Sequence, residues 1–158
     1  METTLEIISD YELERGKPMP SKLHSRLQSN LIIYLGSHYG NAYDFFSELS
    51  LDLNDWSSVP DISIFPKTEI DYLHDEVQVT QAPLCTVEIL SPSQSLTELV
   101  NKAENYFNYG VKTCWLVIPT LKNIYVFTDR TTYVIFKNDD LLTDTNLGIT
   151  VPLGKIFV

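Results

Sequence analysis

Two acidic residues lie at the ends of short apolar segments, where they could meet and bind a metal ion. Asp61 opens the segment 60–66, and Glu88 lies near the end of the segment 84–90. Both segments are short, rich in β-branched residues and bounded by Pro or Ser, which is typical of β-strands. If the strands pair antiparallel, Asp61 and Glu88 meet at the same end of the sheet. Paired carboxylates suit a hard divalent cation such as Mg²⁺, which takes oxygen ligands and retains several waters.

Glu88 interrupts an otherwise apolar strand. Strand alternation places Glu88 on one face with Thr86 and Leu90, while Val87 and Ile89 lie on the other face. Burying an isolated carboxylate is costly, so this side chain should be paired, protonated or bound to a metal. Leu90, the next residue on the same face, has no charge. The partner must therefore come from another element.

A lysine on the following helix is the candidate partner. Residues 96–109 show the apolar periodicity of an amphipathic helix, and Lys102 lies at the flank of its apolar face beside Tyr106. A long side chain at this position can pass the edge of the core. Because the helix begins at the end of the sheet where the acids meet, Lys102 can reach them. The alternative is an i, i+4 ion pair with Glu98 that contributes only roughly 0.3–0.5 kcal/mol.

The segment 87–93, Val-Glu-Ile-Leu-Ser-Pro-Ser, together with Asp61 resembles the Uma-type family of the PD-(D/E)xK nuclease superfamily. The resemblance covers nearly the whole chain. Further matching segments are residues 11–16 with His24, residues 110–119 and residues 147–157. The resemblance implies a restriction-endonuclease-like α/β fold with an αβββαβ core, a mixed central sheet flanked by helices and an additional C-terminal β-hairpin.

The same resemblance implies the chemistry of a metal-dependent endonuclease that hydrolyses phosphodiester bonds, with DNA as the substrate. Asp61, Glu88 and the backbone carbonyl of Ile89 would hold Mg²⁺ or Mn²⁺. The superfamily commonly has a lysine two residues after the glutamate, where this chain has Leu90. Lys102 matches a lysine on the family's helix, and it would orient the attacking water or neutralise the phosphate.

Three other residues are expected to be accessory to this site. His24 matches the family's histidine, with a hydrogen bond to a backbone carbonyl as the alternative. Glu12 matches an acidic position of the family, with a solvated surface acid as the alternative. Glu98 stands where the family usually has aspartate, and its longer side chain leaves its role open.

Length and composition predict one soluble domain over residues 1–158. Hydrophobic residues make up 44% of the chain and charged residues 20%, as is usual for a globular protein. The sequence has no apolar run long enough for a membrane span and begins without the features of a signal peptide. We therefore expect a cytoplasmic protein without a membrane partner. Cys85 and Cys114 lie in apolar segments and are predicted to be reduced core residues.

The net charge of -10 is unusual for a protein that binds nucleic acid, which ordinarily has a basic surface. A local basic surface could come from Lys17, Lys22, Arg26, Lys102 and Lys112. The acidic balance leaves two other classes open. One is a non-catalytic nuclease-fold module for binding or assembly, and the other is a metal-dependent phosphohydrolase for a small ligand. A lysine at position 102 that pointed into solvent would remove the main support for a nuclease.

The remaining segments predict the elements around the site. We expect a helix from Ser21 to about Leu35, and a hairpin of strands 124–127 and 133–136. Strand, helix and strand over 84–118 predict a parallel crossover. Other expectations are a short strand or helix-strand segment over 4–15, a strand over 45–53, and a loop over 67–81 with a short helix at about 68–73. The nine Tyr and seven Phe residues could form the face of a homodimer.

Overall fold

The computed structural model describes residues 10–158, so the part of the predicted first segment before residue 10 lies outside the described residues. The helices are α1 (Asp10–Arg15), α2 (Lys22–Tyr39) and α3 (Leu96–Asn108), with a short 3-10 helix at Leu153–Lys155. The strands are β1 (Tyr43–Ser47), β2 (Leu51–Asp52), β3 (Ser57–Ser58), β4 (Ile62–Pro66), β5 (Cys85–Ile89), β6 (Thr113–Ile118), β7 (Asn123–Phe127), β8 (Tyr133–Lys137), β9 (Leu141–Asp144) and β10 (Ile149–Pro152).

The central sheet has the strand order β1-β4-β5-β6-β7-β8. β5 and β6 are parallel and are joined through α3, whereas the other neighbouring strands are antiparallel. In chain order α2, β1, β4, β5, α3 and β6 give the predicted αβββαβ core with a mixed sheet. The predicted hairpin, β7 with β8, extends this sheet, and β9 pairs with β10 in a second hairpin. The predicted fold class is confirmed.

Each of the two long helices covers a different face of the sheet. α2 packs with the β5 residues Cys85, Val87 and Ile89 in one core cluster. α3 contributes Leu99, Ala103 and Tyr106 to a second cluster with residues of β6. This division follows from strand alternation, because successive side chains of β5 point to opposite faces. Glu88 therefore faces α3, and its neighbours Val87 and Ile89 face the α2 cluster.

Helix α2 begins at the predicted residue but ends later than predicted. The Ser21 side chain caps the helix by accepting a hydrogen bond from the His24 backbone N–H at 3.1 Å. The leucines at every fourth position predict one apolar stripe, and Leu27, Leu31 and Leu35 are buried, whereas Leu23 in the first turn is exposed. The helix continues through Gly36 to Tyr39 and is capped at Gly40. A glycine inside a helix costs only about 1 kcal/mol, which the buried leucine stripe of α2 can offset.

The predicted continuous strand over 45–53 is wrong. β1 ends at Ser47, and Glu48 has a φ of 55° in the left-handed region, where a strand cannot continue. Beyond this break β2 pairs with β3 in a separate ribbon. The loop at 67–81 is confirmed, but turns and bends replace its predicted short helix. The break matters for the site, because it redirects the Glu48 side chain.

Strand β8 forms one edge of the central sheet and exposes apolar side chains. Tyr133, Val134 and Ile135 are all exposed. The predicted homodimer stays a prediction. Both cysteines are free and buried. None of the helices within residues 10–158 is long and apolar enough to cross a bilayer.

Candidate active site

The pairing of β4 with β5 brings the two predicted acids together. The strands are antiparallel, with Ile62 opposite Val87, so Asp61 and Glu88 occupy the next position along the ladder. The backbone N–H of Ile89 donates a hydrogen bond to Asp61 Oδ2 at 2.7 Å, which ties the two strand ends together. Both carboxylates are buried, with exposures of 1% for Asp61 and 4% for Glu88.

Asp61 is held by side chains from two elements that precede it in the chain. Lys17 Nζ lies 2.5 Å from Asp61 Oδ1, and His24 Nε2 lies 3.1 Å from Asp61 Oδ2. His24 therefore contacts a carboxylate rather than the backbone carbonyl considered as an alternative. Its other ring nitrogen, Nδ1, is buried and has no hydrogen-bond partner among the described residues. His24 therefore lies at the predicted site, and its accessory role in the chemistry stays a prediction.

Glu88 is held by two residues of helix α3. Lys102 Nζ lies 2.9 Å from Glu88 Oε1, and the Tyr106 hydroxyl donates a hydrogen bond to the same oxygen at 2.8 Å. Because the Tyr106 hydrogen points to Glu88, its hydroxyl oxygen accepts from Ser58, which lies 2.7 Å away. Lys102 thus points at the acids and not into solvent. The alternative ion pair with Glu98 is not formed among the described residues.

Lys17 is a central residue of this cluster that the sequence patterns did not single out. Its ammonium group contacts Asp61, Glu48 Oε2 at 3.0 Å and the carbonyl oxygen of Val59 at 3.1 Å. Gln28 joins the same group by donating to Glu48 Oε1 at 3.3 Å and to the Asp61 carbonyl at 3.0 Å. Lys17 follows a turn at Gly16, where sequence alone indicates only a possible basic surface. The contact of Glu48 was not predicted, because the sequence predicted that Glu48 lies within a continuous strand over 45–53.

The two carboxyl groups are shifted in opposite directions. Burial raises the pKa of Asp61, but the hydrogen bond from His24 and the charge of Lys17 outweigh burial and hold that pKa below its ordinary value of 3.8. Burial raises the pKa of Glu88 above 4.5, and the nearby charge of Asp61 adds to this effect, although Lys102 and Lys17 oppose it. At neutral pH Asp61 is therefore firmly ionised, whereas Glu88 accepts a proton more readily than an ordinary glutamate does.

The donor set fits Mg²⁺ or Mn²⁺ in part. Within residues 10–158 no group of three or more His, Cys, Asp and Glu side chains gathers into a metal cage. Magnesium does not require one, because it is often bound by one or two carboxylates while water and substrate phosphates fill the other positions. Glu88 Oε2 accepts no hydrogen bond in the described part of the chain, so it remains free as a ligand. Both oxygens of Asp61 have partners already.

A cleft of about 690 Å³ opens in front of the two lysines. Lys17, Lys102, Ser58 and Val59 line it. Lys17 and Lys102 contact the carboxylates, Ser58 contacts Tyr106, and the carbonyl of Val59 accepts a hydrogen bond from Lys17. The carboxylates lie behind the ammonium groups. A ligand in the cleft therefore meets two cations first.

The other two predicted accessory residues lie farther out. Glu98 lines the cleft as an exposed residue of the first turn of α3. Glu12 lies on α1 and accepts a hydrogen bond from the backbone N–H of Met19 at 3.4 Å, which joins α1 to the loop before α2. Their described contacts do not include Asp61 or Glu88. A role for either residue in the chemistry stays a prediction.

Comparison with known proteins identifies relatives of both the sequence and the fold. Residues 2–152 match the model of the family Uma2, described as "Putative restriction endonuclease". A solved structure described as a putative nuclease belonging to DUF820 from Anabaena variabilis superposes with a TM-score of 0.77 and 27% identity. The match covers 89% of this chain and 83% of that chain. Among curated proteins, none matches the chain.

Proposed function

Because this chain belongs to the Uma2 family, described as "Putative restriction endonuclease", we propose that it is a metal-dependent endonuclease that hydrolyses phosphodiester bonds in DNA. The carrying observation is that Asp61 and Glu88 are buried side by side and that each contacts a lysine, Lys17 or Lys102, which lines one cleft. Two acids and two ammonium groups provide ligands for a cation and positive charge for a phosphate at the same place.

Each residue of the cluster has a distinct role in this proposal. Asp61, Glu88 and the carbonyl of Ile89 would hold the metal. A bound Mg²⁺ or Mn²⁺ would supply activation of a water molecule and stabilisation of the charge that develops on the phosphate. Lys102 is the residue that leaves Glu88 to contact the phosphate or to orient the attacking water. His24 holds the Asp61 carboxylate in position.

The hydroxyl chain behind Glu88 supports the same assignment. Tyr106 and Ser58 are both buried and fix the orientation of Glu88 Oε1. This arrangement leaves Oε2 as the oxygen available to a ligand. A carboxylate with one oxygen fixed and the other free is suited to bind a cation that exchanges water and substrate.

A cleavage assay with a metal titration tests the proposal. We expect the protein to cleave a labelled DNA oligonucleotide in the presence of Mn²⁺ or Mg²⁺, to lose this activity in EDTA, and to bind Mn²⁺ at one site by calorimetry. Binding of Mn²⁺ without cleavage of any nucleic acid would indicate the small-ligand phosphohydrolase instead. Absence of both would indicate the non-catalytic module.

The pH dependence of Mn²⁺ binding is expected to change when Lys102 is replaced. Glu88 must be ionised to bind a cation, and the charge of Lys102 lowers the pKa that burial raises. In Lys102→Met the pKa of Glu88 rises further, so the pH at which Mn²⁺ binding is half lost moves to a higher value than in the wild type. Calorimetric titrations between acidic and neutral pH measure this shift without any need for catalysis.

Lys112→Met is the matched control for this shift. Lys112 is exposed and lies just before β6, at the opposite end of the parallel β5–β6 pair from Glu88. Its replacement removes one positive charge of the whole chain but should leave the pH midpoint of Mn²⁺ binding unchanged. Equal midpoints for the wild type and the Lys102 variant would show that Lys102 does not act on the metal ligand.

A further inference from the structure

The cleft in front of Lys17 and Lys102 has features that the hydrolytic chemistry does not require. An aromatic side chain, Trp56, forms part of its wall, and so do several amide side chains. Its volume of about 690 Å³ lies within the range of small-ligand sites, roughly 300–1,000 Å³. A cleft of this size can enclose a short part of a single DNA strand but cannot surround a DNA duplex.

Trp56 is fixed in orientation before any ligand is present. Its ring contacts Tyr106 edge-on at 4.9 Å between ring centroids and is stacked with Tyr109 at 5.5 Å. The Tyr109 hydroxyl is in turn hydrogen-bonded to Asp55. The indole nevertheless remains half-buried and lines the cleft. A rigid aromatic ring at a cleft wall is suited to stack on a nucleobase, an interaction worth about 1–3 kcal/mol per base.

Helix α3 presents amides to the same cleft. Asn101 and Asn105 are four residues apart, so they lie on the helix face that also carries Lys102. Both are exposed and line the cleft, and within residues 10–158 neither side chain makes a hydrogen bond. An amide offers both a donor and an acceptor, the combination that reads the edge of an unpaired base.

Charge argues in the same direction. Duplex binders obtain much of their affinity from many phosphate contacts with lysine and arginine, whereas this chain has a net charge of -10. Among the side chains that the structure describes, the basic ones that line the cleft are Lys17 and Lys102, and both already contact carboxylates. Affinity for nucleic acid must therefore come mainly from stacking and hydrogen bonds to bases, which a paired duplex does not expose.

We propose that the cleft binds an unpaired nucleotide whose base stacks on Trp56 and hydrogen-bonds to Asn101 and Asn105, so that single-stranded DNA is the preferred substrate. This inference rests on the proposed nuclease function and specifies its substrate class. It also accounts for how an acidic chain engages nucleic acid.

Binding measurements on a cleavage-deficient background test the proposal. We would carry Glu88→Gln in every protein and measure fluorescence anisotropy with a labelled 12-nucleotide DNA, single-stranded or annealed. We expect tighter binding of the single strand, and a roughly 5- to 150-fold loss in Trp56→Leu, the equivalent of about 1–3 kcal/mol of stacking. Trp56→Phe, which keeps an aromatic face, should retain most of the affinity.

Tyr72→Ala is the control, because Tyr72 is 92% exposed and lies in the 67–81 loop outside this cleft. Its affinity for the single strand should equal that of the background protein. Equal or tighter binding of the duplex, or unchanged affinity in a folded Trp56→Leu protein, would overturn the inference. A protein that cleaves duplex DNA independently of Trp56 keeps the proposed function and loses this one. If binding depends on Trp56 but the wild-type protein cleaves no DNA, the nucleotide site in the cleft is supported and the proposed nuclease function is lost.

Discussion

Replacing Glu88 by Gln is expected to reduce DNA cleavage by about 100- to 1,000-fold or more, because it removes a negatively charged ligand from the metal site. The substitution retains the shape of the side chain and an oxygen that can accept the hydrogen bond from Tyr106. It also removes the cost of burying a charge, which is the cost that raises the pKa of Glu88. Lys102 is part-exposed and can turn to water. The free energy of unfolding should thus stay within roughly 1 kcal/mol of the wild type.

Glu104→Gln provides the matched control for this loss. Glu104 is an exposed residue of the same helix as Lys102, and its replacement changes the net charge by the same amount. Initial cleavage rates with saturating Mn²⁺, measured beside thermal unfolding curves, separate catalysis from folding. A Glu88→Gln protein that is folded and cleaves at the rate of the control would remove Glu88 from the mechanism.

Local patterns were sufficient to predict the elements that carry the acids. The alternation of β5 predicted that Glu88 lies on one face of the sheet and Val87 and Ile89 on the other. In the structure Val87 and Ile89 belong to the core cluster on the α2 face, and Glu88 faces α3, where the second cluster lies. The antiparallel pairing of β4 and β5 then required only that two short strands be neighbours. The amphipathic pattern of α3 was strong enough to place Lys102 at the edge of its buried face. These features depend on interactions within one element or between two adjacent strands.

Lys17 and Glu48 could not be predicted in the same way. Lys17 follows a turn after α1 and contacts Asp61, 44 residues later in the chain, and no periodic pattern encodes such a distant contact. Glu48 fitted the alternation of a strand that the structure interrupts at a residue with positive φ. A non-glycine residue in that conformation is uncommon, and the sequence contains no glycine there to signal the break. The contacts that the sequence did not predict are therefore those of Lys17, which lies in a loop, and of Glu48, which lies where the strand breaks.

The positions of Lys17 and Lys102 explain how the site can have Leu90 where the superfamily commonly has a lysine. The strand face of Glu88 continues with Leu90, which packs beside the α3 cluster. Positive charge instead reaches the acids from two sides, from Lys17 before α2 and from Lys102 on α3. The negative charges of the two acids are thereby balanced by lysines outside the sheet, of which Lys102 was predictable from the sequence.

Replacing Lys17 by Met is expected to lower the free energy of unfolding by about 3–5 kcal/mol, because it leaves a buried carboxylate without its cationic partner. Lys17 and Asp61 have side-chain exposures of only 10% and 2%, and Glu48 loses the same partner. For a domain of this size the loss corresponds to a decrease in melting temperature of roughly 6–20 °C. Thermal unfolding in EDTA, so that no divalent cation replaces the ammonium group, measures the effect.

Lys67→Met is the control for this prediction, since Lys67 forms a comparable 3.0 Å ion pair with Asp44 but is 52% exposed. Asp44 is buried as well, but it keeps two hydrogen bonds from Thr68 when Lys67 is replaced. The exposed ammonium group of Lys67 contributes about 0–1 kcal/mol, so the melting temperature of Lys67→Met should hardly change. The pKa of Asp61 lies below 3.8 when the protein is folded. Its contribution to stability is therefore present above pH 3.8 and is lost as the pH falls through the lower folded value. At neutral pH equal melting temperatures for the two lysine variants would contradict a buried, strongly coupled pair. A large difference that disappears in strong acid, where Asp61 is protonated, would establish that the ionised carboxylate is the group that Lys17 stabilises.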